Sequence, residues 1–170
     1  ALNLIGNSWS RLGDFNKARE IFEKIIQKDP KSAFGESAAY KVANLYQEEK
    51  NLVSALNSFQ SFVKDYPKSD LLGEALWRIA WNYYQLGRYE ETKKELENII
   101  ATYPNNSWPS REAYWKARVY EHLKEQAIAI NIYNGILENE PFSYYAALSI
   151  ARLNNLKENP FPVYKSFDRG

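Results

Sequence analysis

The sequence has no cysteine and no methionine. Without cysteine there is no disulfide framework, no thiolate nucleophile and no cysteine zinc site. That absence suits an oxidising compartment managed by avoidance, and it suits the cytosol equally. An excess of one charge is also lacking: 22 Lys and Arg stand against 21 Asp and Glu, a net charge of +1. Such a balance gives no field to recruit nucleic acid or anionic lipid. Apolar runs stop at four or five residues, far short of the ~20 that a membrane span needs. The first residues carry neither a basic n-region nor an initiator methionine, so a mature chain or an excised fragment is expected. The 170 residues suffice for one ordinary domain or for a short run of stacked repeats.

Proline is scarce but regularly placed. Pro30, Pro67, Pro104 and Pro141 stand 37 residues apart, at the ends of IIQKDP, FVKDYP, IIATYP and ILENEP. A fixed period of this size signals a solenoid. Apolar residues within each unit follow the helical period, as in Ala18, Phe22 and Ile25, then Ala55, Phe59 and Phe62. Turn signals divide each unit: LGD at 12–14, EKN at 49–51 and LGR at 86–88. Gly13 and Gly87 suit a left-handed C-cap, and Asp14 and Asn51 suit the N-cap of the next helix. Each unit therefore reads as helix A, tight turn, helix B and a proline-containing exit. No segment alternates apolar and polar residues between hairpin turns, so β structure has no support.

The segments RLGDFNKAREIFEKIIQKDP and QLGRYEETKKELENIIATYP resemble the tetratricopeptide repeat (TPR). That family has a period of about 34 residues; here roughly three more lengthen each B-to-A turn, as in KSAFGES and NNSWPSRE. The resemblance covers residues 1 to about 154. It implies an all-α, TPR-like right-handed α-solenoid of four helix pairs plus a fifth A helix. The repeats fall at about 1–30, 36–67, 73–104 and 110–141, with a final helix over 142–154. Residues 155–170, broken by Pro160 and Pro162, read as a linker or the lead-in to a missing domain.

Among thirteen tyrosines and five tryptophans, two sets recur on the A helices. Trp9, Tyr46, Tyr83 and Tyr120 recur at one point of successive A helices, where core packing is expected, opposite Phe22, Phe59, Leu96 and Tyr133 of the B helices. Tyr40, Trp77, Trp81, Tyr84, Tyr114 and Tyr145 occupy positions that, on the TPR resemblance, face the concave groove, with Asn7, Asn44 and Arg118 on the same strip. Two readings stay open: the rings fill gaps between neighbouring A helices, or they form a groove that stacks on peptides or sugar rings. On the second, the candidate binding residues are Tyr40, Asn44, Trp77, Trp81, Tyr84, Tyr114, Arg118 and Tyr145. Lys41, Asn44 and Arg78 are only partly similar to the Lys, Asn and Arg clamp with which some TPR proteins hold a peptide carboxyl terminus, and that ligand is not assigned. In PFSYYAALSIARL, Tyr144 and Tyr145 open a fifth A helix expected to cover the fourth pair.

The stretch REAYWKARVYEHLKEQAIAINIYNGILENEPFSYYAALSIARL resembles the helical superstructure of soluble lytic transglycosylases, periplasmic enzymes that cleave peptidoglycan. The matching residues are Ala113, Tyr114, Trp115, Ala117 and Arg118, then Pro141, Ser143, Tyr144, Tyr145, Ala151, Arg152 and Leu153. Residues 60–104, with DYPKSD and TYPNNS, resemble TPRs of envelope adaptors in outer-membrane assembly and cell division. Both resemblances imply a Gram-negative periplasm. Glu36-Ser37 matches the catalytic "ES" of the transglycosylases only superficially, since no "GLMQ"-type segment follows. Glu36 opens a helix, where an acid suits the dipole. Glu48/Glu49 and Glu90/Glu91 diverge around their helices, and His122 has no second imidazole, so neither a metal site nor a cofactor is expected. The chain itself is not expected to be an enzyme. The function expected first is a non-catalytic scaffold of a lytic transglycosylase, its catalytic domain lying outside this sequence. The alternative is a stand-alone TPR adaptor holding a partner peptide in its groove. The partner is a protein or peptide, with glycan strands as a further candidate ligand. Nucleic acid and a membrane span are not expected.

Overall fold

The computed structural model describes residues 1–102 and 109–156, and every regular element among them is an α-helix. In chain order these are α1 (Leu2–Arg11), α2 (Phe15–Lys28), α3 (Ala33–Glu48), α4 (Leu52–Asp65), α5 (Leu72–Gln85), α6 (Tyr89–Thr102), α7 (Pro109–His122), α8 (Gln126–Asn139) and α9 (Tyr144–Asn155). They alternate as A and B helices, with α9 the fifth A helix. The exit turn expected at Pro104 and the tail expected beyond Leu156 lie outside the described residues.

The helices pair because small and large residues recur 37 positions apart. Gly6, Ala43, Ala80 and Ala117 are buried on the A helices. On the B helices Phe22, Phe59, Leu96 and Tyr133 are at most 1% exposed. A close helix approach needs a small residue under a large one, and truncating such a buried ring costs about 3–5 kcal/mol. Of the A-helix aromatics expected in the core, Tyr83 and Tyr120 are buried, while Trp9 and Tyr46 are half-buried under cations from α2. Lys17 Nζ lies 4.3 Å from the Trp9 ring centroid, and the Arg19 guanidinium lies 4.5 Å from that of Tyr46.

Each A-to-B turn places one residue in the left-handed region: Gly13 (φ 78°), Lys50 (φ 58°), Gly87 (φ 72°) and Lys124 (φ 65°). Gly13 and Gly87 are the expected C-caps. The two lysines adopt the same conformation without glycine's freedom. Asp14 and Asn51 cap the following helices, accepting from the backbone N–H of Lys17 and Ser54, each at 3.2 Å.

The lengthened exit turns carry their own caps. Ser32 Oγ accepts from the Gly35 N–H at 3.1 Å, and Ser143 Oγ from the Ala146 N–H at 3.0 Å. Gly35 is required there, since a Cβ would lie 2.3 Å from the Asp29 carbonyl oxygen. Successive exits are also tied together. Tyr66 donates its hydroxyl to the Pro30 carbonyl at 2.7 Å, and Ser69 donates to the Glu36 carboxylate at 2.6 Å. Glu36 is thus a structural acceptor.

The chain divides into two compact units, Ala1–Glu95 and Leu96–Gly170. In the first, α1 to α5 each pack on the next in chain order. Ala18, Phe22 and Ile25 of α2 interlock with Ala38, Val42 and Leu45 of α3. In the second, α9 packs on both α8 and α7, and its Leu153 joins Tyr114, Ala117 and Tyr133 in one core.

Replacing Lys50 or Lys124 by glycine relieves a left-handed conformation that costs an L residue about 1–2 kcal/mol, partly offset by glycine's unfolded-state entropy. Each variant is expected to gain ~0.5–1 kcal/mol, a rise in Tm of a few degrees. An unchanged or lowered Tm in thermal melts would contradict this.

Candidate binding groove

In the first unit, Asn7 of α1, Asn44 of α3 and Trp81 of α5 occupy one register, each a repeat apart. Along this face lies a hollow of about 470 Å³, to which α3 also contributes Lys41, Gln47 and Glu48, and α5 contributes Arg78. Lys41 Nζ donates to Asn3 Oδ1 at 2.7 Å and to Asn7 Oδ1 at 3.0 Å. Both acceptors are neutral, so they orient the ammonium without cancelling its charge. Burial lowers the Lys41 pKa. Arg78 Nε lies 3.1 Å from Glu74 Oε1. Tyr40 meets Phe59 and Phe62 of α4 edge-on at 5.6 and 5.4 Å. Burial raises the Tyr40 pKa, and the Arg78 charge opposes the rise. Tyr40 therefore packs α3 against the α4 core. Cations and carboxamides in an open, polar recess can hold both the carbonyls and the carboxylates of an extended peptide.

The candidate aromatics of α5 form a ladder. Trp77 and Trp81 stack at 6.2 Å and 17°, Trp81 and Tyr84 at 5.6 Å and 8°, and Tyr84 meets Tyr89 edge-on at 5.6 Å. Trp77, only 8% exposed, belongs to the core. Of the two readings left open for this ring, the burial supports gap filling between helices over an open groove wall. Trp81 and Tyr84 are half-buried.

In the second unit Tyr114 is likewise core, at 4% exposure. It packs against Trp115 (5.5 Å), Tyr133 (5.7 Å) and Tyr145 (5.5 Å). Tyr144, 71% exposed, lies edge-on to Tyr145 at 5.3 Å. Arg118 lies 3.5 Å from Glu121, a carboxylate that also accepts from Arg152 of α9 and the Tyr133 hydroxyl of α8. Burial acts to raise the Glu121 pKa, but these partners hold it below its ordinary 4.5. The same carboxylate, together with burial, raises the Tyr133 pKa. Three helices are thereby joined at one anion.

Of the candidate residues, Asn44 lines the hollow with Lys41 and Arg78, Tyr40 packs on Phe59 and Phe62, and Trp77 and Tyr114 are buried. Sequence reasoning missed the bridging role of Lys41 and the Glu121–Arg152 contact. A signal was available, because Lys41, Arg78 and Arg152 share one register of the repeat.

Trp77→Ala is expected to destabilise by about 3–5 kcal/mol, and Trp81→Ala by less than half of that; equal losses in thermal melts would place both indoles in the core. For Glu121 the depressed pKa means that its stabilisation is present above the unfolded value of 4.5 and is lost as pH falls through the lower folded value. Glu121→Gln is therefore expected to lower Tm at neutral pH, by ~1–3 kcal/mol of stability, with the gap from wild type closing as pH falls below 4.5. A gap independent of pH would refute that role.

Residues 1–32, 37–69 and 74–106 each match the family model of the tetratricopeptide repeat. The Outer membrane protein assembly factor BamD of Rickettsia prowazekii (strain Madrid E) is 26% identical over 119 residues, 62% of this chain and 47% of that protein. The chain thus spans about half the length of the curated relative that it matches. Among solved structures, a tetratricopeptide repeat protein from Parabacteroides merdae ATCC 43184 superposes with a TM-score of 0.75 at 20% identity, over 92% of this chain and 59% of that one. MamA from Desulfovibrio magneticus RS-1 gives 0.69 at 15% identity, over 92% and 85%. At these identities the structural likeness carries the fold alone. The family match covers more than half of the residues, and the chain belongs to the tetratricopeptide repeat family.

Proposed function

We propose that this chain is an adaptor module of the bacterial cell envelope, which holds an extended segment of a partner protein along the hollow of its first unit. The observation that carries this reading is the arrangement of Lys41, Asn44 and Arg78 around an open recess of about 470 Å³. The ammonium there is oriented by two neutral carboxamides, which leaves its charge for a ligand. Similarity to a protein named as an outer membrane assembly factor supports envelope assembly as the setting, with the periplasm as the compartment.

The lytic-transglycosylase reading has weaker support. The residues that carry that resemblance, Tyr114, Trp115, Arg118, Tyr145, Arg152 and Leu153, are engaged in packing or ion pairing within the second unit. A packing motif of this kind serves a scaffold of either protein. Glycan strands remain the ligand which that reading would require.

A photo-crosslinking residue at Ser10 or Asn44, compared with one at the exposed Glu23 of α2, tests the adaptor reading in Gram-negative envelope fractions. Discrete protein adducts are expected from the two groove positions and not from Glu23. Reversing both charges, Lys41→Glu with Arg78→Glu, is expected to reduce the adducts at least ~10-fold, since each 1.4 kcal/mol lost is a factor of ten. Adducts from Glu23 alone, or co-sedimentation of the purified chain with peptidoglycan sacculi, would overturn the proposal.

A further inference from the structure

The hollow of the first unit changes character along α3. At one end stands Lys41, whose ammonium is held by two carboxamides and paired with no carboxylate among the described residues. At the other end Gln47 and Glu48 line the recess. Lys41 and Glu48 are seven residues apart on one helix, two turns, so they share a face. Gln47 Oε1 is buried and accepts no hydrogen bond, so nothing offsets its loss of water. Glu48 differs from its neighbour Glu49. Glu49 is engaged by Arg19 of α2, whereas Glu48 is exposed and makes no ion pair among the described residues. Arg11, at the Glu48 register of α1, does not pair with it either.

We infer that Gln47 and Glu48 form an acceptor subsite for a lysine or arginine side chain of the partner segment, while Lys41 takes an acidic side chain of the same segment. This rests on the adaptor reading of the hollow and adds the chemistry of the segment to it. Charge complementarity identifies the occupant. An uncancelled ammonium suits a carboxylate, and an unpaired carboxylate beside an unsatisfied carbonyl oxygen suits a cationic N–H donor. Glu48 is already exposed, and the Gln47 amide turns toward the donor about its soft terminal torsion. The spacing follows from backbone geometry. Seven residues of α3 rise about 10.5 Å. In the polyproline II conformation, residues three apart lie on one side of the chain, about 9.3 Å apart. A β-strand places residues two or four apart on one side, at about 6.6 or 13 Å, and matches less well. The acidic and basic residues are therefore three positions apart. Because both recognised groups are side chains, the segment needs no chain terminus and is internal to the partner.

The test probes an array of acetylated, amidated dodecapeptides with the 170-residue chain. Their proline-alanine background favours the polyproline II conformation. Each peptide carries one glutamate and, one to five positions away on either side, one lysine or a glutamine control. Binding is expected to peak with lysine three positions from glutamate, ~5-fold above its glutamine control. Glu48→Gln is expected to erase that peak and to leave binding of the control unchanged. Glu48→Lys is expected to move the peak to peptides with a second glutamate in place of lysine. Both variants are expected to keep the helical circular dichroism of wild type, since Glu48 is exposed and unpaired. Binding that ignores the lysine, a lysine preference that survives Glu48→Gln, or no binding of any peptide would overturn the inference. If it falls while discrete adducts still form from Ser10 and Asn44 in envelope fractions, the adaptor reading stands; loss of those adducts removes both.

Discussion

The ring of Phe22 lies so close to Gly6 that a Cβ at that glycine would stand 2.8 Å from two of its carbons. That contact is the condition for pairing α1 with α2. At the same registers the first unit carries Phe59 and Ala43, and the second carries Tyr133 and Ala117, which share one core. Every other feature of a repeat follows from keeping this contact while the chain reverses twice. The A-to-B turn must be tight, which demands a left-handed residue. The first B-to-A exit brings α3 back alongside with a Ser32 cap and, at Gly35, no side chain against the Asp29 carbonyl.

Because the contact recurs at a fixed spacing, much of the fold was legible in the sequence. The 37-residue proline interval, Gly13, Gly87, Asp14 and Asn51 marked the helix boundaries by backbone chemistry that any chain must obey. Lys50 and Lys124 escaped notice because their side chains carry no left-handed preference; only register with the two glycines reveals them. The fate of individual aromatics was less readable. A ring at a groove register can lie flat over a neighbour or stand open, and the choice depends on residues one turn away. Trp77 is buried and stacks on Trp81, which stacks in turn on Tyr84. Tyr114 is covered because three other rings converge on it. Periodicity says that these side chains share a face, and it is silent on how many layers deep that face is filled.

The polar residues of the strip obey a similar division. Lys41, Arg78 and Arg152 share one register, and Asn7, Asn44 and Arg118 share another. In the first unit these positions, with Ser10 and Gln47, border an open hollow. In the second unit the Ser10 register is held by Glu121, which engages Arg118, Arg152 and the Tyr133 hydroxyl. One register thus serves two incompatible ends. A carboxylate placed there draws the surrounding cations inward, joins α7, α8 and α9, and leaves those cations no charge to offer outside. Hydroxyl and carboxamide side chains at the same register make no such demand, and the Lys41 ammonium stays oriented but uncancelled. Cohesion and recognition compete for the same few positions, and the identity of one side chain per repeat decides between them. On that ground the proposed recognition surface lies in the first unit, and the ion-paired face of the second holds α9 in place.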